Sequence, residues 1–206
     1  MHRTFTLLLL LVISTSSLAY RPNEGDAAPD FEMTSINGER FKLSDYKGKQ
    51  SVYVVFWNTW CHYCMKKIPK LKAAQTNLAD DIKIIAVNTS RKDSLEESLD
   101  FQKRFKINYM LTFDDNEVVT DLYNVHGVPT EFIVDINGII RHRDGVPENL
   151  SKYVTKWNAK GYQSFSHYWI NLFSQLNPIA QNTIFWNVDF SQLLNSLNEL
   201  ESTSQS

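Results

Sequence analysis

The chain has 206 residues, of which 43% are hydrophobic and 21% charged, and a formal net charge of −2. That length supports one domain with a full core, or one domain with an appendage. The composition is ordinary for a globular protein, and the near-neutral charge gives no electrostatic reason for nucleic acid or an anionic membrane surface as partner. Beyond the N-terminus no apolar run approaches the roughly 20 residues needed to span a bilayer.

The chain begins with a basic pair, His2 and Arg3, then an apolar stretch from Phe5 to Ile13 and small polar residues up to Ala19. Ser17 and Ala19 stand at −3 and −1 of a cleavage point before Tyr20, so residues 1–19 read as a signal peptide and the protein as exported, periplasmic or secreted. The alternative is an uncleaved tether, for which an apolar core of about nine residues is short.

Residues 26–50 read as a hairpin, with the turn signal Asn37-Gly38 between Phe31-Glu32-Met33 and Arg40-Phe41-Lys42-Leu43. Ser51–Trp57 is a continuous β-branched and aromatic run, the pattern of a strand buried on both faces. Residues 62–79 carry Ile68, Leu71, Ala74 and Leu78 on one helical stripe, and Pro69 is expected to kink that helix. A second buried strand is predicted over Ile82–Asn88 and a helix over 92–105, with Leu95, Leu99 and Phe101–Phe105 at helical spacing. A strand at Tyr109–Phe113 and a short helix at Asn116–Asn124 follow. Strands Thr130–Asp135 and Ile139–Arg143 then flank a second Asn-Gly turn at Asn137-Gly138. This order predicts an α/β domain over 26–145 with a central mixed sheet flanked by helices. Residues 146–206 read as a helical extension that packs on or completes the core, with an amphipathic pattern from Tyr162 to Leu176 and a closing helix from Asp189.

The chain has two cysteines, Cys61 and Cys64, only two residues apart. A structural disulfide gains most by closing a long loop, and this one closes almost nothing. Zinc usually takes four ligands, and His126, His142 and His167 lack finger-like spacing. Redox chemistry is the reading that remains, with no metal and no cofactor expected. Cys61 falls where strand 51–57 turns into helix 62–79, facing the free N–H groups and the positive end of the helix dipole. Such Cys-x-x-Cys settings bring a thiol from about 8.5 to roughly 3.5–7.5. Cys64, one turn further on the same face, is placed to resolve a mixed disulfide.

Phe56-Trp57-Asn58-Thr59-Trp60-Cys61-His62-Tyr63-Cys64, with Pro69 five residues later, resembles the active-site segment of thioredoxin-like proteins. Gly127-Val128-Pro129-Thr130 resembles their second signature, a loop facing the cysteines. Together with the N-terminal hairpin and export signal, the chain resembles the TlpA/ResA/DsbE branch over about residues 26–145. The resemblance implies a thioredoxin-like fold and thiol:disulfide exchange with protein substrates and an upstream electron-donor protein; the reductive direction is favoured, with oxidative folding left open. It implies a cis Pro129, with Val128 offering its backbone to substrate and Trp60 beside it on the contact surface; Trp57 reads as core. His62 and Tyr63 replace the usual proline-containing pair and are candidates for redox tuning. The family's buried acids are absent at Val55 and Lys67, which leaves the proton acceptor of Cys64 open between bulk water and another group. Two alternatives stand beside this reading: a peroxiredoxin-like peroxide reductase, for which Thr59 lies one residue too close to Cys61, and a non-catalytic binding module using the aromatic C-terminal region.

Overall fold

The computed structural model describes residues 21–145, 147 and 149–159. The signal segment and the helical patterns after Tyr162 lie outside these residues.

A two-stranded antiparallel ribbon, β1 (Glu32–Thr34) and β2 (Arg40–Lys42), closes over Asn37-Gly38, where Gly38 takes a positive φ of 89°. A short 3₁₀ turn, Leu43–Tyr46, leads into the main sheet. That sheet has strands β3 (Ser51–Trp57), β4 (Ile82–Asn88), β5 (Met110–Phe113), β6 (Thr130–Val134) and β7 (Ile140–Arg143). Their order is β5-β4-β3-β6-β7, with β3, β4 and β5 parallel and the β6–β7 hairpin antiparallel to them. The connecting helices are α1 (His62–Asn77), α2 (Leu95–Phe105) and α3 (Val118–Leu122), and α4 (Leu150–Asn158) follows the hairpin.

Central β3 explains the sheet. All seven of its residues are buried. Val52, Val54 and Phe56 join Phe31, Phe41, Tyr123 and Phe132 in the cluster beneath the hairpin. The alternate residues Val55 and Trp57 face α1 and α2, where the Trp57 and Phe101 rings lie 4.8 Å apart. Each large apolar side chain so buried contributes about 1.5–3 kcal/mol relative to exposure. Each sheet edge carries an isolated bridge: Ser35 bridges to Thr112 on β5, and Ala27 bridges to Ile139 beside β7.

Two helices depart from expectation, while α1 starts at His62 as predicted. α1 runs through Pro69 without interruption to Asn77. α2 begins at Leu95 rather than 92, because Ser94 caps it: its Oγ accepts from Glu97 N–H at 3.1 Å and donates to the Glu97 carboxylate at 2.8 Å. Leu95 therefore sits in the first turn and is exposed. The helix expected over 116–124 is held to Val118–Leu122, since Glu117 and Asn124 take positive φ angles. α4 packs on β3 and ties to it through side chains: Ser51 Oγ donates to Asn158 Oδ1 at 2.7 Å, and Asn158 Nδ2 donates to the Asp81 carbonyl at 2.6 Å.

Candidate active site

β3 ends at Trp57, and four residues later Cys61 caps α1. Cys61 and Cys64 form a disulfide, and both are buried. The Cys64 backbone N–H donates to Cys61 Sγ at 3.1 Å. A helix N-terminus leaves its first N–H groups free, and here one of them is spent on the sulfur, which favours negative charge on Cys61. His62 and Tyr63 occupy the first turn and are exposed, with Tyr63 at 70%. Trp60, 54% exposed, donates its indole N–H to the Arg91 carbonyl at 2.9 Å. The Val128–Pro129 peptide is cis, and both residues are half-buried. Phe56 pairs with Thr130 across β3–β6, so Pro129 stands at the sheet end from which the Cys61 loop emerges. Cys61, Cys64, Trp60, Val128 and Pro129 therefore occupy one end of the sheet. Trp57 is core, as expected.

Two polar clusters lie beneath the cysteines, and neither was legible as a unit in the sequence. The first is built on Asp93. Its carboxylate accepts from Thr59 N–H at 2.6 Å, Thr59 Oγ1 at 2.7 Å, Asn88 Nδ2 at 2.8 Å and Asn58 Nδ2 at 3.3 Å. Asn58 also donates to Asn88 Oδ1 at 2.9 Å and accepts from Thr89 Oγ1 at 2.8 Å. These bonds fix the loop directly ahead of Trp60 and Cys61.

The second is built on Glu131 of β6, which is 2% exposed. Glu131 pairs with Val55 in the β3–β6 register, so it shares that residue's face, toward α1. Its carboxylate accepts from the Tyr53 hydroxyl and, at 2.6 Å, from Lys67 Nζ on α1. Burial, and then the Glu131 charge, push the Tyr53 hydroxyl well above the usual tyrosine range. The acid missing at Val55 is thus supplied one strand over, and Lys67 serves as its partner. The sequence signal was a lone carboxylate two residues after Pro129, in a strand otherwise apolar from Phe132 onward.

Comparison with known proteins agrees with this geometry. The AhpC/TSA family profile matches residues 24–143. The chain is 35% identical over 119 residues to the thioredoxin-like protein YneN of Bacillus subtilis, covering 57% of this chain and 69% of that one. It is also 35% identical over 119 residues to the thiol-disulfide oxidoreductase ResA of Geobacillus kaustophilus, covering 57% and 66%. Among solved structures, the thioredoxin domain of a thiol-disulfide oxidoreductase from Bacteroides vulgatus superposes with a TM-score of 0.56 at 26% identity, over 65% of this chain and 96% of that one. StoA from Bacillus subtilis gives 0.53 at 25% identity, over 63% and 98%. The chain belongs to the AhpC/TSA family, as a thioredoxin-fold member of the ResA-like thiol:disulfide oxidoreductases.

Proposed function

We propose that this protein exchanges disulfides with protein substrates through Cys61 and Cys64, in the reductive direction and outside the cytoplasm. The observation that carries the reading is Cys61 at the head of α1, its sulfur accepting the Cys64 N–H and bonded to the Cys64 sulfur. The exchange runs in two steps. The Cys61 thiolate attacks a substrate sulfur and the other substrate sulfur leaves. Cys64 then attacks Cys61 Sγ, closing the intramolecular disulfide and releasing the second substrate thiolate. Two electrons pass from the dithiol to the substrate, and an upstream donor protein restores them.

Exposed Trp60 and Tyr63 offer aromatic faces to the substrate, and Val128 offers backbone polar groups beside Pro129. The reductive direction is supported by charge. Cations beside a dithiol stabilise its thiolate form and make the couple oxidising. Here the Lys67 ammonium is matched by Glu131, and His62 stands in solvent. The export reading rests on the N-terminal pattern of residues 1–19, and among the described residues no helix is long and apolar enough to cross a membrane.

Cys61→Ser should abolish reduction of a protein disulfide, while Cys64→Ser should accumulate mixed disulfides with substrates. A Cys64→Ser protein that captures no partner would sink the two-step scheme. The reduction potential tests direction: about −270 mV fits a reductant, and about −120 mV would reverse the assignment.

A further inference from the structure

Reduced Cys64 must lose a proton before its sulfur can attack, because the thiolate is the nucleophile. Cys64 is 6% exposed, so bulk water has little access to it. It opens instead onto a cavity of about 10 Å³, whose walls include Val55, Trp57, Lys67 and Tyr109. That is the scale of a single water molecule. Among the described residues the buried Trp57 indole N–H has no hydrogen-bond partner. Lys67 shares the cavity with Cys64 and is bonded to buried Glu131. Cys64 and the Lys67–Glu131 pair therefore border the same small cavity.

We propose that Glu131, acting through Lys67, is the proton acceptor for Cys64 in the resolving step. This rests on the exchange role of the cysteines proposed above. An ammonium has no lone pair, so Lys67 cannot be the terminal acceptor; it hands one proton to Glu131 Oε2 and takes up the proton of Cys64. Glu131 ends as a neutral carboxyl, Lys67 as an ammonium and Cys64 as a thiolate. That thiolate forms the bond to Cys61 Sγ as the Cys61–substrate bond breaks. The electron pair of the broken bond leaves on the substrate sulfur, and Glu131 later returns its proton to solvent.

The other polar groups around the pair do not compete. The Tyr53 hydroxyl of β3 already donates to Glu131, and burial holds its proton and that of Tyr109 above the usual range. From β7, Arg143 lies over the Phe132 ring and bonds Asp144, and the Asp144 backbone N–H meets only the Glu131 main-chain carbonyl.

The test follows both steps with 5,5′-dithiobis(2-nitrobenzoic acid) on the reduced protein in stopped flow. The first release of thionitrobenzoate reports Cys61 attack, and the second reports resolution by Cys64. The informative variant is Lys67→Met with Glu131→Gln, which removes both charges and leaves no buried charge unpaired. At pH 7 its second release should slow by about tenfold or more, and its pH profile should move to higher pH, while the first release stays within about twofold of wild type. Glu131→Asp should recover part of the lost rate. The proposal is overturned if the second release keeps its wild-type rate and pH profile, or if both releases slow together. Absence of a second release in the wild-type protein would instead refute the exchange reading itself.

Discussion

The two polar clusters under the cysteines differ in kind, and the difference separates two tasks. The Asp93 cluster, on the Cys61 side, is made of amides, hydroxyls and one carboxylate that accepts from five donors on four residues. Its partners are short, close and mutually satisfied, which suits it to hold the 58–60 loop in one geometry. The Glu131 cluster, on the Cys64 side, has, among the described residues, two side-chain donors to its carboxylate, one of them the ammonium of Lys67. It sits on the apolar face of a sheet, where charge is costly unless paired. The first cluster sets position, and the second is suited to setting protonation.

The sharpest way to break this contrast is Asp93→Ala. It removes the side-chain acceptor of Thr59 N–H and Thr59 Oγ1 and one of two acceptors of Asn58 Nδ2 and Asn88 Nδ2, so a loss of about 3 kcal/mol is expected in a urea titration. Both steps of exchange should slow together, because the loop ahead of Cys61 loses its anchor. Selective slowing of the second step alone would place Asp93 in proton handling and erase the distinction.

Tyr53→Phe probes the other cluster, with an expected cost of about 1–2 kcal/mol for leaving one buried carboxylate oxygen short of a donor. It should also change the alkaline limb of stability. An unfolded tyrosine ionises near 10, whereas burial, reinforced by Glu131, holds folded Tyr53 protonated well beyond that. Above about pH 10 the unfolded chain therefore binds fewer protons than the folded one. Stability from this group is complete below that pH and falls above it by about 1.4 kcal/mol per pH unit. Tyr46, Tyr109 and Tyr123 are raised by burial in the same sense, so Tyr53→Phe should remove about a quarter of the alkaline slope measured by denaturant midpoints from pH 9 to 11. An unchanged slope would mean that Tyr53 ionises freely.

What could be read from sequence was what is local. Ser51–Trp57 and Ile82–Asn88 announce buried strands because runs so rich in β-branched and apolar residues suit a strand buried on both faces. Asn37-Gly38 and Asn137-Gly138 announce their turns, and Cys61 at a strand-to-helix junction announces its own chemistry. The clusters were not readable, because their members are distant in sequence. Asp93 meets Thr59 across 34 residues, and Glu131 meets Lys67 across 64. Only the β3–β6 register, which lines Glu131 up with Val55, reveals that a carboxylate missing from one strand stands on its neighbour. Leu95 misled for the opposite reason: its spacing fitted the helix, but the Ser94 cap put it in the first turn, facing solvent.

The smallest expected effect bears on where the positioning cluster ends. Trp60 follows Thr59 directly, yet its indole N–H bonds the Arg91 carbonyl, and over half of its surface is exposed. Trp60→Phe removes that donor while water can replace it at an exposed carbonyl, so stability should change by no more than about 0.5 kcal/mol. The ring that would touch substrate shrinks and loses its fixed tilt. The KM for a protein disulfide should therefore rise about two- to threefold with kcat unchanged, and turnover of a small aromatic disulfide should stay as it was. A loss near 2 kcal/mol, with the small disulfide affected equally, would make Trp60 a structural extension of the Asp93 cluster. The expected split instead ends that cluster at Thr59 and assigns Trp60 to the surface that meets the substrate.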